Sequence, residues 1–90
     1  MTKEESIVQF ILNWLISNEK IADKDTARQK ARDLPLGVFL DSLDVMELVT
    51  AIEERYGVEL DEIIGSDSIP EYRKITPAGL AKAVTYVAED

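Results

Sequence analysis

The sequence predicts a small all-α domain: a bundle of three main helices and a short one, with a long first loop, occupying residues 1–90 as one unit. Three observations predict it. The chain has 90 residues, and chains usually divide into separate domains only well beyond about 150. Its apolar fraction of 46% is enough for one core and too high for a disordered tail. Three segments carry apolar stripes at helical spacing, each preceded by a helix-starting residue.

The first helix is expected from Lys3 to Ser17. Thr2, with Glu5 three residues later, has the form of a capping box. Ile7, Ile11, Trp14 and Leu15 then fall on one stripe, which Val8 and Leu12 widen, so this helix is buried on much of its circumference. Residues 18–40 form a long connection, where Asp25 is placed to cap a short helix through Ala27–Arg32. Pro35 and Gly37 punctuate the remainder, and Leu34, Leu36, Val38, Phe39 and Leu40 give it apolar weight to pack back on the core. The second main helix starts with Asp41 as N-cap and Asp44 in its first turn, and it runs to Tyr56 and stops at Gly57. A second long connection follows, with single helical turns expected at Asp61–Ile64 and Pro70–Arg73. The last helix takes Thr76 as cap and Pro77 as its first residue, with Leu80, Val84 and Val87 on its inner stripe.

Charge is unevenly placed. The chain carries 18 acidic against 10 basic side chains, a net charge of −8. Residues 1–40 hold six of each sign, whereas residues 41–62 hold eight acids against Arg55 alone. So acidic a segment repels nucleic acid and anionic membrane surfaces and attracts basic proteins. The chain has no Cys and no His. It therefore has no disulfide, thiolate nucleophile, histidine base or Cys/His metal site, which closes most hydrolase, transferase and metalloenzyme layouts. The carboxylates also lack the Asp-x-Asp-x-Asp-Gly spacing of a calcium loop. The longest apolar-rich stretch, Ile7 to Ile16, is broken by Gln9 and Asn13, is too short to span a bilayer, and lacks a signal-type cleavage site. A cytoplasmic monomer is expected, with no nucleic-acid partner and no membrane insertion.

The acidic helix has two apolar faces. At about 100° per residue, Val45, Leu48, Val49, Ile52 and Tyr56 lie within about 60° of one line and form the core stripe. Leu43, Met46 and Thr50 lie about 100–160° away from that line, among Glu47, Glu53 and Glu54. Two large apolar side chains on the outer side of an acidic helix, both near its start, read as a docking patch. Ser42 stands at that start. Because Asp41 serves as the cap, the Ser42 hydroxyl is free to face solvent and to present an attached group at the helix tip. The helix dipole would favour a phosphodiester there, while Asp41 and Asp44 would repel it.

Asp41-Ser42-Leu43-Asp44, followed by Val45-Met46-Glu47-Leu48-Val49 and then Ile52-Glu53-Glu54-Arg55-Tyr56-Gly57, resembles the acyl carrier protein family, most strongly over residues 37–60. The resemblance implies an acyl-carrier-protein-like bundle forming a single carrier domain. It implies that Ser42 is the attachment point of 4'-phosphopantetheine, transferred from coenzyme A by a Mg-dependent phosphopantetheinyl transferase. Asp41 would then help bind that enzyme's metal. Leu43 and Met46, with Asp44, Glu47 and Glu53, would meet partner enzymes through a basic docking surface. Those partners would be acyl- or aminoacyl-loading ligases or synthases of lipid (fatty-acid), polyketide or peptide-type biosynthesis. The working thiol would belong to the cofactor, so a chain without Cys or His loses nothing as a carrier.

Phe39 and Leu40 stand where housekeeping fatty-acid carriers have a glycine and a small residue. The Gly-x-x-Leu-Asp-Ser pattern from Gly37 is closer to stand-alone aminoacyl or D-alanyl carriers and other specialised members. The connection from Gly57 to Thr76 is also longer than in a fatty-acid carrier. The competing reading is an unmodified acidic helical module that binds a basic protein. Intact Asp41, Ser42 and Leu43 favour the carrier.

Overall fold

The computed structural model describes residues 2–60 and 73–88. Four α-helices make up most of them: α1 (Lys3–Ser17), α2 (Asp25–Arg32), α3 (Ser42–Tyr56) and α4 (Pro77–Ala88), with a 3-10 turn at Leu36–Val38. There is no strand among the described residues. The turn expected at Asp61–Ile64, and all but Arg73 of the one expected at Pro70–Arg73, lie outside them.

The core forms where the helical stripes meet. Ile7, Ile11 and Leu15 from α1, Val45, Leu48 and Ile52 from α3, and Leu80 and Val84 from α4 are completely buried. Each such side chain contributes about 1.5–3 kcal/mol relative to exposure. Trp14, Tyr56 and Val87 pack on the margin as partly buried residues, and the Phe10 and Tyr56 rings meet edge to face with centroids 5.6 Å apart. In α4, Thr76 caps as expected: the Gly79 N–H donates to its Oγ1 at 2.9 Å.

The expectations for the first half need three corrections. Thr2 Oγ1 accepts from the Glu5 N–H at 3.1 Å, but Glu5 does not close the box. Its carboxylate takes a two-pronged bond from Arg32, at 3.2 and 3.0 Å, and another from Gln9 Nε2 at 3.2 Å. A guanidinium fork is a stronger partner than one neutral N–H, so Glu5 ties α1 to α2. Second, α2 begins at Asp25, not Ala27, and Lys24 is its N-cap without a side-chain bond. Asp25 therefore sits inside the first turn, where its charge complements the helix dipole. Third, only part of the 34–40 run packs inward. Leu36 and Leu40 are buried and Phe39 is half-buried, whereas Val38 is 62% and Leu34 36% exposed. The turns explain it: Leu36 and Phe39, three apart, share one side of the 3-10 turn while Val38 points away, and the Leu40 N–H returns to the Leu36 carbonyl at 2.9 Å, an α-type turn that brings Leu40 back inward. Leu36 N–H donates to the Ile75 carbonyl at 2.9 Å. Gly37 permits this approach, since a Cβ there would lie 3.0 Å from the Arg73 carbonyl oxygen.

The two long helices end differently. Gly57 closes α3 in the left-handed region at φ 65, with its N–H on the Glu53 carbonyl at 2.9 Å. A Cβ would meet nothing within 4 Å there, so only the backbone objects to a side chain. Gly57→Ala is expected to lower stability by about 1 kcal/mol, read as a smaller urea midpoint at unchanged slope. α1 closes without a glycine: Glu19 adopts φ 59. Its N–H donates to the Ile16 carbonyl at 3.0 Å and that of Lys20 to the Leu15 carbonyl at 2.8 Å, which is the Schellman pattern.

Candidate functional site

The site is built on the first turn of α3. Asp41, extended at φ −85 and ψ −178, is the N-cap. Its Oδ1 accepts from the Asp44 N–H at 2.8 Å, and Asp44 Oδ2 accepts from the Asp41 N–H at 3.3 Å. Here the capping box is closed from both sides. Ser42, between the two, is the first helical residue and is exposed. No hydrogen bond from a described residue engages its hydroxyl. The reading of a serine released from capping duty therefore holds.

A cation completes this turn. Lys20, carried past the end of α1, places Nζ 3.1 Å from Asp44 Oδ2. That ammonium is the main reason the Asp44 carboxyl is held below the usual carboxylate range; the Asp41 N–H adds to it and partial desolvation opposes it. Glu5 is lowered likewise, by Arg32 first and Gln9 second. For carboxyls lowered by folding, the stability gained is present above the ordinary value of about 4 and is lost as pH falls through the lowered native values. A carbon-13 titration of the side-chain carboxyls is therefore expected to find Asp44 and Glu5 titrating below their ordinary values, with Asp44 moving up in Lys20→Gln and Glu5 moving up in Arg32→Gln.

Along the outer side of α3, Leu43 is 64% and Met46 53% exposed. They line a shallow groove with Glu47, Thr50, Ala51 and Glu54. Val45, Leu48, Val49 and Ile52 on the opposite side are buried, so both faces of the helix lie as the periodicity places them. The acids differ in what they do. Glu47 is exposed on the groove, whereas Glu53 is half-buried and its Oε2 accepts from the Leu60 N–H at 3.0 Å, fastening the chain that leaves α3. Glu54 lines the groove where Glu53 does not. Helical arithmetic contains that signal, since Glu54 lies about 20° from Leu43 and Glu53 about 80°. Lys20 carried no such signal, because its meeting with Asp44 is made by the fold.

Residues 31–64 match the family described as PP-binding, phosphopantetheine attachment site. Over this segment, a little over a third of its length, the chain is similar to the phosphopantetheine-carrying acyl carrier proteins. The matched segment begins at the end of α2 and takes in the 3-10 turn and all of α3, hence the Asp41 cap and the outer groove. It is the attachment site of a covalent 4'-phosphopantetheine group, and the chain is a phosphopantetheine carrier. No curated protein and no solved structure matches the chain. The residues of the carrier fit such a group: a solvent-facing serine hydroxyl at the positive end of a helix accommodates a phosphodiester, and Lys20 offsets the repulsion from Asp44. No helix among the described residues is long and apolar enough to cross a membrane.

Proposed function

We propose that this chain is a cytoplasmic carrier, with residues 1–90 forming one carrier domain. In this reading it holds an acyl or aminoacyl group as a thioester on 4'-phosphopantetheine attached to Ser42 and delivers it to enzymes of lipid, polyketide or peptide-type biosynthesis. One observation carries the reading: within the matched segment, Ser42 is exposed at the head of α3 while Asp41 and Asp44 meet the capping demand without it. The bound group supplies a long arm ending in a thiol, which the protein itself lacks.

For attachment, the serine oxygen forms a bond to the phosphorus that joins pantetheine to the rest of coenzyme A, and the adenosine bisphosphate half departs. The hydroxyl proton leaves to a base supplied by the transferase. Asp41, exposed beside Ser42, is the carboxylate placed to meet the transferase's metal. Leu43 and Met46 form the apolar floor that partners grip, and Glu47 supplies a rim charge for their basic surface. Asp44 and Glu53 meet partners from beside that groove and not from its lining, and each also holds an internal contact. The Gly37-x-x-Leu40-Asp41-Ser42 pattern supports a specialised, aminoacyl-type cargo.

The test is intact mass. After incubation with coenzyme A, Mg²⁺ and a broad-specificity transferase, the protein is expected to gain one phosphopantetheine unit, and protein from its own host carries the cargo mass in addition. No gain leaves the unmodified acidic module as the better reading.

A further inference from the structure

We propose that Lys20 is a positioning residue for the modification of Ser42, acting through Asp44. The inference rests on the carrier reading and adds to it a residue from outside the motif, on the far side of α2. Two independent observations meet in it. The first is the single non-glycine residue with positive φ among the described residues, Glu19 at φ 59. A side chain in the left-handed region is strained, and such a conformation persists only where its surroundings hold it. Here it closes the Schellman turn through the Lys20 N–H on the Leu15 carbonyl, which fixes where Lys20 leaves α1.

The second observation is where Lys20 goes. Its Nζ lies 3.1 Å from Asp44 Oδ2, with the two side chains only 30% and 22% exposed. That same oxygen accepts the Asp41 N–H. Lys20, Asp44 and the Asp41 backbone thus form a continuous chain of contacts, and the Asp41 carboxylate returns it through the Asp44 N–H. Ser42 stands between the two arms of this clamp. The pairing also sets the charge. Without Lys20, Ser42 would be flanked by two uncompensated carboxylates, and an incoming phosphate would meet both. With it, of the two carboxylates that flank Ser42 only Asp41 is without an ion-pair partner among the described residues, and in the carrier reading that is the carboxylate that meets the transferase's metal.

The experiment is steady-state transferase kinetics on the full chain, with amide exchange and melting measured on the unmodified protein. Lys20→Gln is expected to lower kcat by about fivefold, the most a partly exposed pair gives, with KM for the carrier within about twofold. It should also speed exchange of the Asp41 amide. Lys20→Arg restores both readouts. Asp44→Asn slows loading by itself, and adding Lys20→Gln to it changes nothing more, because the lysine acts through that carboxylate. Glu19→Gly keeps the turn, and loads like the parent. Four outcomes overturn the proposal: Lys20→Gln loading like the parent, the same loss from Lys20→Gln in the Asp44→Asn background, a loss confined to KM, or a lowered melting point that Lys20→Arg does not rescue. A parent chain that gains no mass overturns the carrier reading itself, which separates the two failures.

Discussion

Ser42→Ala is expected to take up no phosphopantetheine while melting like the parent chain. Attachment needs the serine oxygen, and no neighbouring hydroxyl shares its place at the head of α3. Stability does not need it, because the first turn is capped by Asp41 and Asp44 through bonds of 2.8 and 3.3 Å that never involve Ser42. Alanine is also well tolerated in a helix, so the change in stability should stay within about ±0.5 kcal/mol. Asp41→Ala separates the two roles in the opposite sense. It removes the cap, costing about 1 kcal/mol, and it removes the carboxylate beside the serine, so stability and loading fall together. The check is intact mass and a thermal melt on each variant. A Ser42→Ala chain that still gains the full unit would place the attachment on another hydroxyl and dismiss the reading of this turn.

Which features were legible in the sequence follows from how local their causes are. The bounds of α3 were readable because Asp41, Asp44 and Gly57 act within one turn of the ends they mark, and the starts of α1 and α4 because Thr2, Thr76 and Pro77 do the same. The two faces of α3 were readable because helical geometry alone separates Val45 from Leu43. The errors lie where distant exposed charges choose between partners. Glu5 had a local donor at the start of α1 and took Arg32 instead, because the fold brings a guanidinium within 3.0 Å. Lys20 reached Asp44 in the same way. The Leu34–Leu40 run failed for another reason: composition shows that it is apolar, but only its 3-10 turn determines that Val38 faces out while Leu36 and Leu40 face in.

The faces of α3 also set the sharpest contrast in expected stability. Leu48→Ala and Ile52→Ala are each expected to cost about 2–5 kcal/mol, since both side chains are completely buried and each truncation leaves a cavity among α1 and α4 residues that cannot fully close. For a chain of 90 residues that is a large share of a total stability of about 5–10 kcal/mol. Met46→Ala and Glu47→Lys should stay within about ±0.5 kcal/mol, because Met46 is 53% exposed and Glu47 is exposed on the open groove. Their loss should appear in partner kinetics instead. Met46→Ala removes apolar floor and should speed release. Glu47→Lys reverses a rim charge and should slow association, most at low salt and progressively less as added salt screens the exposed pair. Melts and loading rates on the four variants, at two ionic strengths, read out both halves. If Met46→Ala melts as low as Leu48→Ala, the outer face is part of the core. If Met46→Ala and Glu47→Lys both melt and load like the parent, partners dock elsewhere, and exposed apolar residues beside Ser42 serve no recognition.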